Sequence, residues 1–293
     1  MRVLCTGITS THAWPAFCEL AKLKHIELFG IRPPKAKLPV GENIFDVCIT
    51  DKEQITEIVE KINPTHVLHA AGVCDLDGCE GDPVRAERIN VQGTKLLSSL
   101  TQDAYFMYCS ADLVFSGVNP PPGGYEEHHE PDPVSVVGRT LLAAEMEVQK
   151  HPKWAIVRIG LPMGPSIQGK KGAVDWIESR FKKGRPVTLF FDEFRSATRT
   201  DDIGKMICEL FMHEVTGYYN VAGPSTVSLY DMGKIILKYD SYDHSLLTGI
   251  YIKEEKNGPP RVYDVSLNAE KTISKLGWKP KPWGEEIEDG IMD

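Results

Sequence analysis

Five short apolar runs, most of them followed by a loop and a stretch of helical spacing, recur through the first 165 or so residues. The runs cover 2–5, 25–31, 67–71, 105–109 and 154–159; the helical stretches cover 12–23, 52–61, 82–100 and 137–150. A strand that is apolar along its length has both faces covered, which is the condition of a parallel sheet flanked by helices. The alternation therefore predicts an α/β fold with a doubly wound parallel sheet, whose ligands bind beyond the carboxyl ends of the strands. After 165 the pattern weakens into short elements and turn signals such as Lys183-Gly184-Arg185-Pro186 and Gly223-Pro224. A first domain over 1–165 and a small α/β C-terminal lobe over 166–293, interleaved with it, are expected, with a cleft between them. The segment 118–133, rich in proline and carrying Gly123-Gly124 and Glu126 to Glu130, is predicted as a surface loop.

The first strand runs into Thr6-Gly7-Ile8-Thr9-Ser10-Thr11-His12-Ala13. A dinucleotide loop needs small residues so that backbone can approach the pyrophosphate at a helix N-terminus. Gly7, Ser10 and Ala13 fill the G-x-x-G-x-x-G spacing, with only the first glycine kept. Ser10 or Thr11 could donate a hydroxyl to phosphate or cap the following helix. A plain strand-to-helix turn fits the loop equally well. The second strand ends Ile31-Arg32-Pro33-Pro34 with no acid. An acid there would bind the ribose of NAD, whereas an arginine favours the 2′-phosphate of NADP. Arg32 thus points to a Rossmann domain preferring NADP over NAD, or to none if the loop is degenerate; its bland alternative is a solvated loop residue.

Several segments together resemble the dTDP-4-dehydrorhamnose reductase branch of the extended short-chain dehydrogenases. They are His69 to Glu80 followed by Asp82-Pro83, Asn90-Val91-Gln92-Gly93-Thr94, Ser110 to Gly117, Gly164-Pro165, Phe194-Arg195-Ser196, Asn220 to Pro224 and Arg261 to Leu267. They fall in order over nearly the whole chain. The regulatory beta subunit of methionine adenosyltransferase is similar to the same branch. The resemblance implies a dinucleotide lined by Gly7, Ile8, Thr9, Ser10, Thr11, Ala13, Arg32, Ala70, Ala71, Gly72, Cys109 and Ser110, with Leu161 near the nicotinamide and a nucleotide-sugar substrate.

In that branch a Ser or Thr holds the substrate carbonyl, a Tyr passes it a proton and a Lys lowers the Tyr pKa. Those places fall on Ala111, Val137 and Leu141, with Gly138, Arg139, Thr140 and Glu145 fixing the alignment. None of the three can transfer a proton. The polar residues left nearby are Ser110, Asp112 and Tyr125. Three readings follow: a dinucleotide- or nucleotide-sugar-binding protein, alone, as a homodimer or with a protein partner; an active reductase or epimerase using other groups such as Tyr125 or Asp112; and a scaffold without cofactor.

Other classes are disfavoured. A formal charge of -8 repels phosphate backbones, so no nucleic-acid partner is expected. No apolar run reaches the roughly 18 residues of a membrane helix. The N-terminus reads as a buried strand, and seven scattered cysteines read as reduced thiols, so a cytoplasmic protein is expected. His128 and His129 among Glu126, Glu127 and Glu130 read as a solvated loop, and Asp75, Asp77 and Glu80 as turn and capping residues, so no metal is expected.

Overall fold

The computed structural model describes residues 1–36, 41–167, 172–239 and 242–284. Its first half lays down β1 (Arg2–Thr6), α1 (Ala13–Ala21), β2 (Glu27–Arg32), β3 (Ile44–Asp46), α2 (Lys52–Ile62), β4 (His66–His69), α3 (Leu76–Gly81), α4 (Pro83–Glu87), α5 (Gly93–Leu100), β5 (Tyr105–Ala111), α6 (Val136–Val148) and β6 (Trp154–Ile159). The predicted strands and helices are all present, shifted at their ends. Helix α2 shows why these elements form. Ile55, Ile58, Val59 and Ile62 bury one face, Asp51 accepts from the Gln54 N–H at 3.1 Å, and Asn63 stops the helix at φ 45° before Pro64. The long helix expected over 82–100 is present as one continuous helical run, in which a π-helical turn, Arg88–Gln92, joins α4 to α5.

The second half adds β7 (Leu161–Met163), α7 (Ala173–Phe181), β8 (Val187–Phe190), β9 (Phe194–Arg199), α8 (Thr200–Met212), β10 (Gly217–Val221), β11 (Ser225–Ser228), α9 (Leu229–Tyr239), β12 (Leu247–Ile250) and α10 (Glu270–Leu276). Seven strands pair in the order β10-β6-β5-β4-β1-β2-β3, all parallel. This is the Rossmann arrangement, with strand order reversing between β1 and β4. Strands β11, β9 and β7 form a three-stranded sheet, and β12 and β8 a parallel pair. The chain after 165 thus divides between a lobe and the large sheet, to which it returns α8 and β10.

Successive strand residues serve opposite faces. Leu4, Val67, Phe106, Tyr108 and Ile156 enter the core under α2, α5 and α6. Val3, Cys5, Leu68, Met107 and Val157 enter the one shared with α1 and α8. Gly204 of α8 lets the two helices close, since a Cβ there would lie 2.6 Å from the Pro15 Cβ. A third core, with Ile177, Leu189, Met232 and Ile236, belongs to the lobe. No helix among the described residues is long and apolar enough to cross a membrane.

The segment 118–133 is a surface loop only in part. Tyr125 is buried, its N–H donating to the Ser266 carbonyl at 2.8 Å, and Glu127 accepts from the Asn220 N–H at 2.9 Å. The composition signalled irregular backbone correctly. It could not signal that the C-terminal residues 264–268 would offer that backbone partners.

Candidate functional site

The parallel register brings the expected cofactor residues into one row. Thr6 pairs with Ile31 on one side and His69 on the other, and His69 pairs with Tyr108. One step further along, Arg32, Gly7, Ala70 and Cys109 therefore stand side by side, the first three at the carboxyl ends of β2, β1 and β4 and Cys109 two residues before the end of β5. Gly7 takes φ 65°, and a Cβ there would lie 2.3 Å from the Ala70 carbonyl oxygen. Only glycine fits this conformation and approach. Bare backbone brought up at a topological switch point fits the pyrophosphate of a dinucleotide.

Ser10 is a cap. Its N–H donates to the Gly7 carbonyl at 3.0 Å, and its Oγ accepts from the Ala13 N–H at 3.1 Å. Ile8, Thr9 and Ala13 are buried, and Thr11 is half-buried. The His12 Nε2 is buried with no partner among the described residues, and burial lowers the imidazole pKa to about 4. Ala71 is half-buried and Gly72 exposed, whereas Cys109 is buried and its thiol is pushed up by that burial. Leu161 lies on β7 in register with Ala197.

A buried polar circuit behind the loop, which the sequence reading did not include, holds β1 to β4. Thr6 Oγ1 accepts from the Ala70 and Ala71 N–H groups at 3.3 and 3.2 Å. It lies 2.6 Å from His69 Nδ1, and His69 Nε2 lies 2.9 Å from Thr94 Oγ1, which donates to the Asn90 carbonyl at 2.6 Å. The bonds close if Thr6 donates to Nδ1 and Nε2–H donates to Thr94. The imidazole is then neutral, in keeping with a pKa lowered to about 3 by burial. Asn90 also binds the Val73 N–H and carbonyl at 2.8 and 3.0 Å and donates to Thr140 Oγ1 at 2.9 Å, tying the loop after β4 to α6. A histidine ending an otherwise apolar strand run was the available signal.

Arg32 is not a solvated loop residue. It is 4% exposed and donates through Nε and one terminal nitrogen to both carboxylate oxygens of Asp46, the second at 3.1 Å. Asp46 comes from the end of β3, paired directly with Arg32. Reading β2 alone could not find this acid.

The other end of the crevice is apolar. Ala111 closes β5, and Val137 and Leu141 lie one turn apart on α6, 0% and 2% exposed. Both enter the core that contains Phe115 and Tyr125. The neighbouring polar groups serve structure. Ser110 donates to Glu145 Oε1 at 2.6 Å, and Glu145 Oε2 accepts from Arg158 at 2.8 Å. Arg158 is 2% exposed, its guanidinium 5.1 Å from the Phe115 ring centre and 4.5 Å from that of Tyr218. Asp112 is fully buried and accepts from Arg195 through both oxygens, one at 2.7 Å. Tyr125 stacks on Phe115 with ring centres 4.0 Å apart, and burial raises its phenol pKa. His128 and His129 stack at 4.4 Å, and the His129 Nδ1 accepts from the Glu126 N–H at 2.8 Å. Asp75 accepts from the Gly78 N–H at 3.2 Å, and Glu80 from the Val136 N–H at 2.6 Å.

The family model described as RmlD substrate binding domain matches residues 1–293. The chain is 30% identical over 239 residues to the probable low-salt glycan biosynthesis reductase Agl14 of Haloferax volcanii, covering 80% of this chain and 79% of that protein. It is 26% identical to methionine adenosyltransferase 2 subunit beta of Danio rerio, over 54% of this chain and 49% of the other. Among solved structures, dTDP-4-dehydrorhamnose reductase of Bacillus anthracis in complex with NADP superposes with a TM-score of 0.82 at 23% identity, covering 98% and 97% of the two chains. The UDP-glucose 4-epimerase of Thermus thermophilus in complex with NAD gives 0.85 at 22% identity, over 98% and 96%. At such identities the structural likeness bears on fold alone.

Proposed function

The chain belongs to the RmlD substrate binding domain family, and from that premise we propose that it is a cytosolic protein that binds a nicotinamide dinucleotide and a nucleotide sugar without acting as a conventional reductase. Its role is that of a binding or regulatory component, as a homodimer or with a protein partner. The first half of the reading is supported by Gly7, whose left-handed backbone lies against Ala70 where a pyrophosphate needs bare backbone. The second is carried by one observation: Val137 and Leu141 pack into the core where proton transfer requires polar side chains. A bound dinucleotide supplies hydride chemistry from its nicotinamide. The residues around it here would line and orient it: Gly7 to Ala13 at the phosphates, Ala70 to Gly72 and Cys109 along the crevice, and Leu161 at the far end. Losing a general acid costs about 10²- to 10⁴-fold in rate. An active enzyme relying on Tyr125 or Asp112 is less well supported, because Tyr125 is buried against Phe115 and Asp112 is bound to Arg195. A subunit role has a precedent in the name of the adenosyltransferase relative. Both NADP and NAD fall within the reading; Arg32 by itself favours NADP, and Asp46 beside it acts against that preference.

Thermal unfolding with NAD(H) and NADP(H) tests the binding half. Nucleotide at 100 times its dissociation constant adds about 2.7 kcal/mol of stability, and no shift with any of the four overturns it. Oxidation of NADPH or NADH by a 4-keto nucleotide sugar, well above a control without protein, overturns the other half.

A further inference from the structure

Resting on that reading, we infer that Asp46 makes this chain prefer NAD to NADP, because it masks Arg32 and presents its own carboxylate where the adenosine ribose would bind. The register fixes the place. Arg32 is the first residue past Ile31, the partner of Thr6, so it stands beside Gly7 at the carboxyl end of β2. This is the strand end at which Rossmann domains read the ribose 2′ position. Asp46 pairs with Arg32 across the β2–β3 ladder, and its side chain meets the guanidinium with both oxygens. Exposure then decides which charge a ligand meets. The Arg32 side chain is 4% exposed and that of Asp46 47%. An approaching ribose therefore finds a half-exposed anion with the cation beneath it.

The two ligands differ only at the 2′ position. A 2′-hydroxyl donates a hydrogen bond to a carboxylate. A 2′-phosphate carries charge of about -1.5 to -2 and has no proton to offer in its dianionic form. To reach Arg32 it must displace Asp46 from two charge-assisted hydrogen bonds, and it is repelled while doing so. The arginine alone would favour NADP, and the pair reverses that sign.

Titration of the purified chain with NAD+ and with NADP+, read by intrinsic fluorescence or calorimetry, tests this without any turnover. The unaltered chain is expected to bind NAD+ about tenfold more tightly or better, the ratio that about 1.4 kcal/mol of discrimination produces. Asp46→Asn removes the charge from a half-exposed position. It is expected to tighten NADP+ by about tenfold while changing NAD+ by no more than about twofold. Asp46→Glu restores the charge and is expected to keep the NAD+ preference, which separates charge from local packing. Tighter NADP+ binding by the unaltered chain, or an Asp46→Asn ratio equal to the original, overturns the inference and leaves dinucleotide binding standing. Binding of neither nucleotide to any of the three chains overturns both together.

Discussion

The two ends of the crevice are built from the same strands and have opposite chemistry. At the β1–β4 end, Gly7 lies too close to the Ala70 backbone for any Cβ, and Thr6, His69, Thr94 and Asn90 form a closed polar circuit behind it. At the β5–α6 end, Ala111, Val137 and Leu141 offer no polar atom beyond the backbone, and the nearest side chains that do, Ser110 and Asp112, are bonded to Glu145 and Arg195. A buried polar group without a partner costs free energy. At the first end these groups are bonded around the loop, the His12 Nε2 excepted, and at the second the polar groups that remain are bonded to one another. Binding capacity and reaction chemistry can thus separate within one scaffold, because they depend on different strand ends.

The sharpest attempt to break this contrast is to restore the second end. A variant carrying Ala111→Ser, Val137→Tyr and Leu141→Lys is expected to oxidise NADH or NADPH with a 4-keto nucleotide sugar about 10²- to 10⁴-fold faster than the unaltered chain, the usual contribution of a placed general acid. Circular dichroism verifies that the variant is folded. A folded variant with no gain shows that the lobe differs too, and that the two ends are not the whole of the contrast. Next in size is the buried pair beneath the apolar end. Arg158→Met leaves Glu145 buried and uncompensated, 0% exposed, and is expected to cost about 3–5 kcal/mol in urea unfolding. A loss below about 1 kcal/mol would mean that Ser110 alone satisfies the carboxylate.

Much of the fold was legible in the sequence because apolar periodicity reports burial directly. The runs at 67–71 and 105–109 mark strands covered on both faces, and α2 announces itself through Ile55, Ile58 and Ile62 with Asp51 and Asn63 at its ends. Local irregularity within a helix was not legible. The π turn at Arg88–Gln92 contains Asn90, whose partners Val73 and Thr140 lie 17 and 50 residues away. The site divides in the same manner. Gly7 follows from where the first strand ends, and Ala70 and Cys109 from the family resemblance, whereas the Arg32–Asp46 pair depends on a three-residue strand too short to stand out, and Arg195 reaches Asp112 across 83 residues. Partners brought together by topology leave no trace in either local segment.

The polar end should also carry a pH signature of its own, through its buried histidines. His69 titrates near 3 and His12 near 4 in the folded chain, both lowered by burial from 6.5. The unfolded chain binds these protons more readily, so the associated stability is complete above about pH 6.5 and is lost as pH falls through the folded values. Each pH unit inside that window is worth about 1.4 kcal/mol per histidine at most. Urea midpoints measured from pH 7 down to pH 4 are expected to fall, and His12→Leu is expected to flatten part of the slope. A flat profile in the unaltered chain would show that water reaches the imidazoles.

The smallest effect falls on Ser10, where the contrast is finest. Its Oγ accepts from the Ala13 N–H, one of the amides that α1 leaves without an intrahelical partner. An anion at the same helix end would compete for that donor. Ser10→Gly removes the hydroxyl and restores the glycine that the loop spacing expects, at a cost of a few tenths of a kcal/mol, since glycine is itself a tolerable cap. The stability change should therefore sit near the limit of measurement, while dinucleotide affinity stays level or rises. A clear loss of affinity would assign the Ser10 hydroxyl to the phosphate rather than to the helix. The β1–β4 end would then owe its binding to side chains as well as to bare backbone.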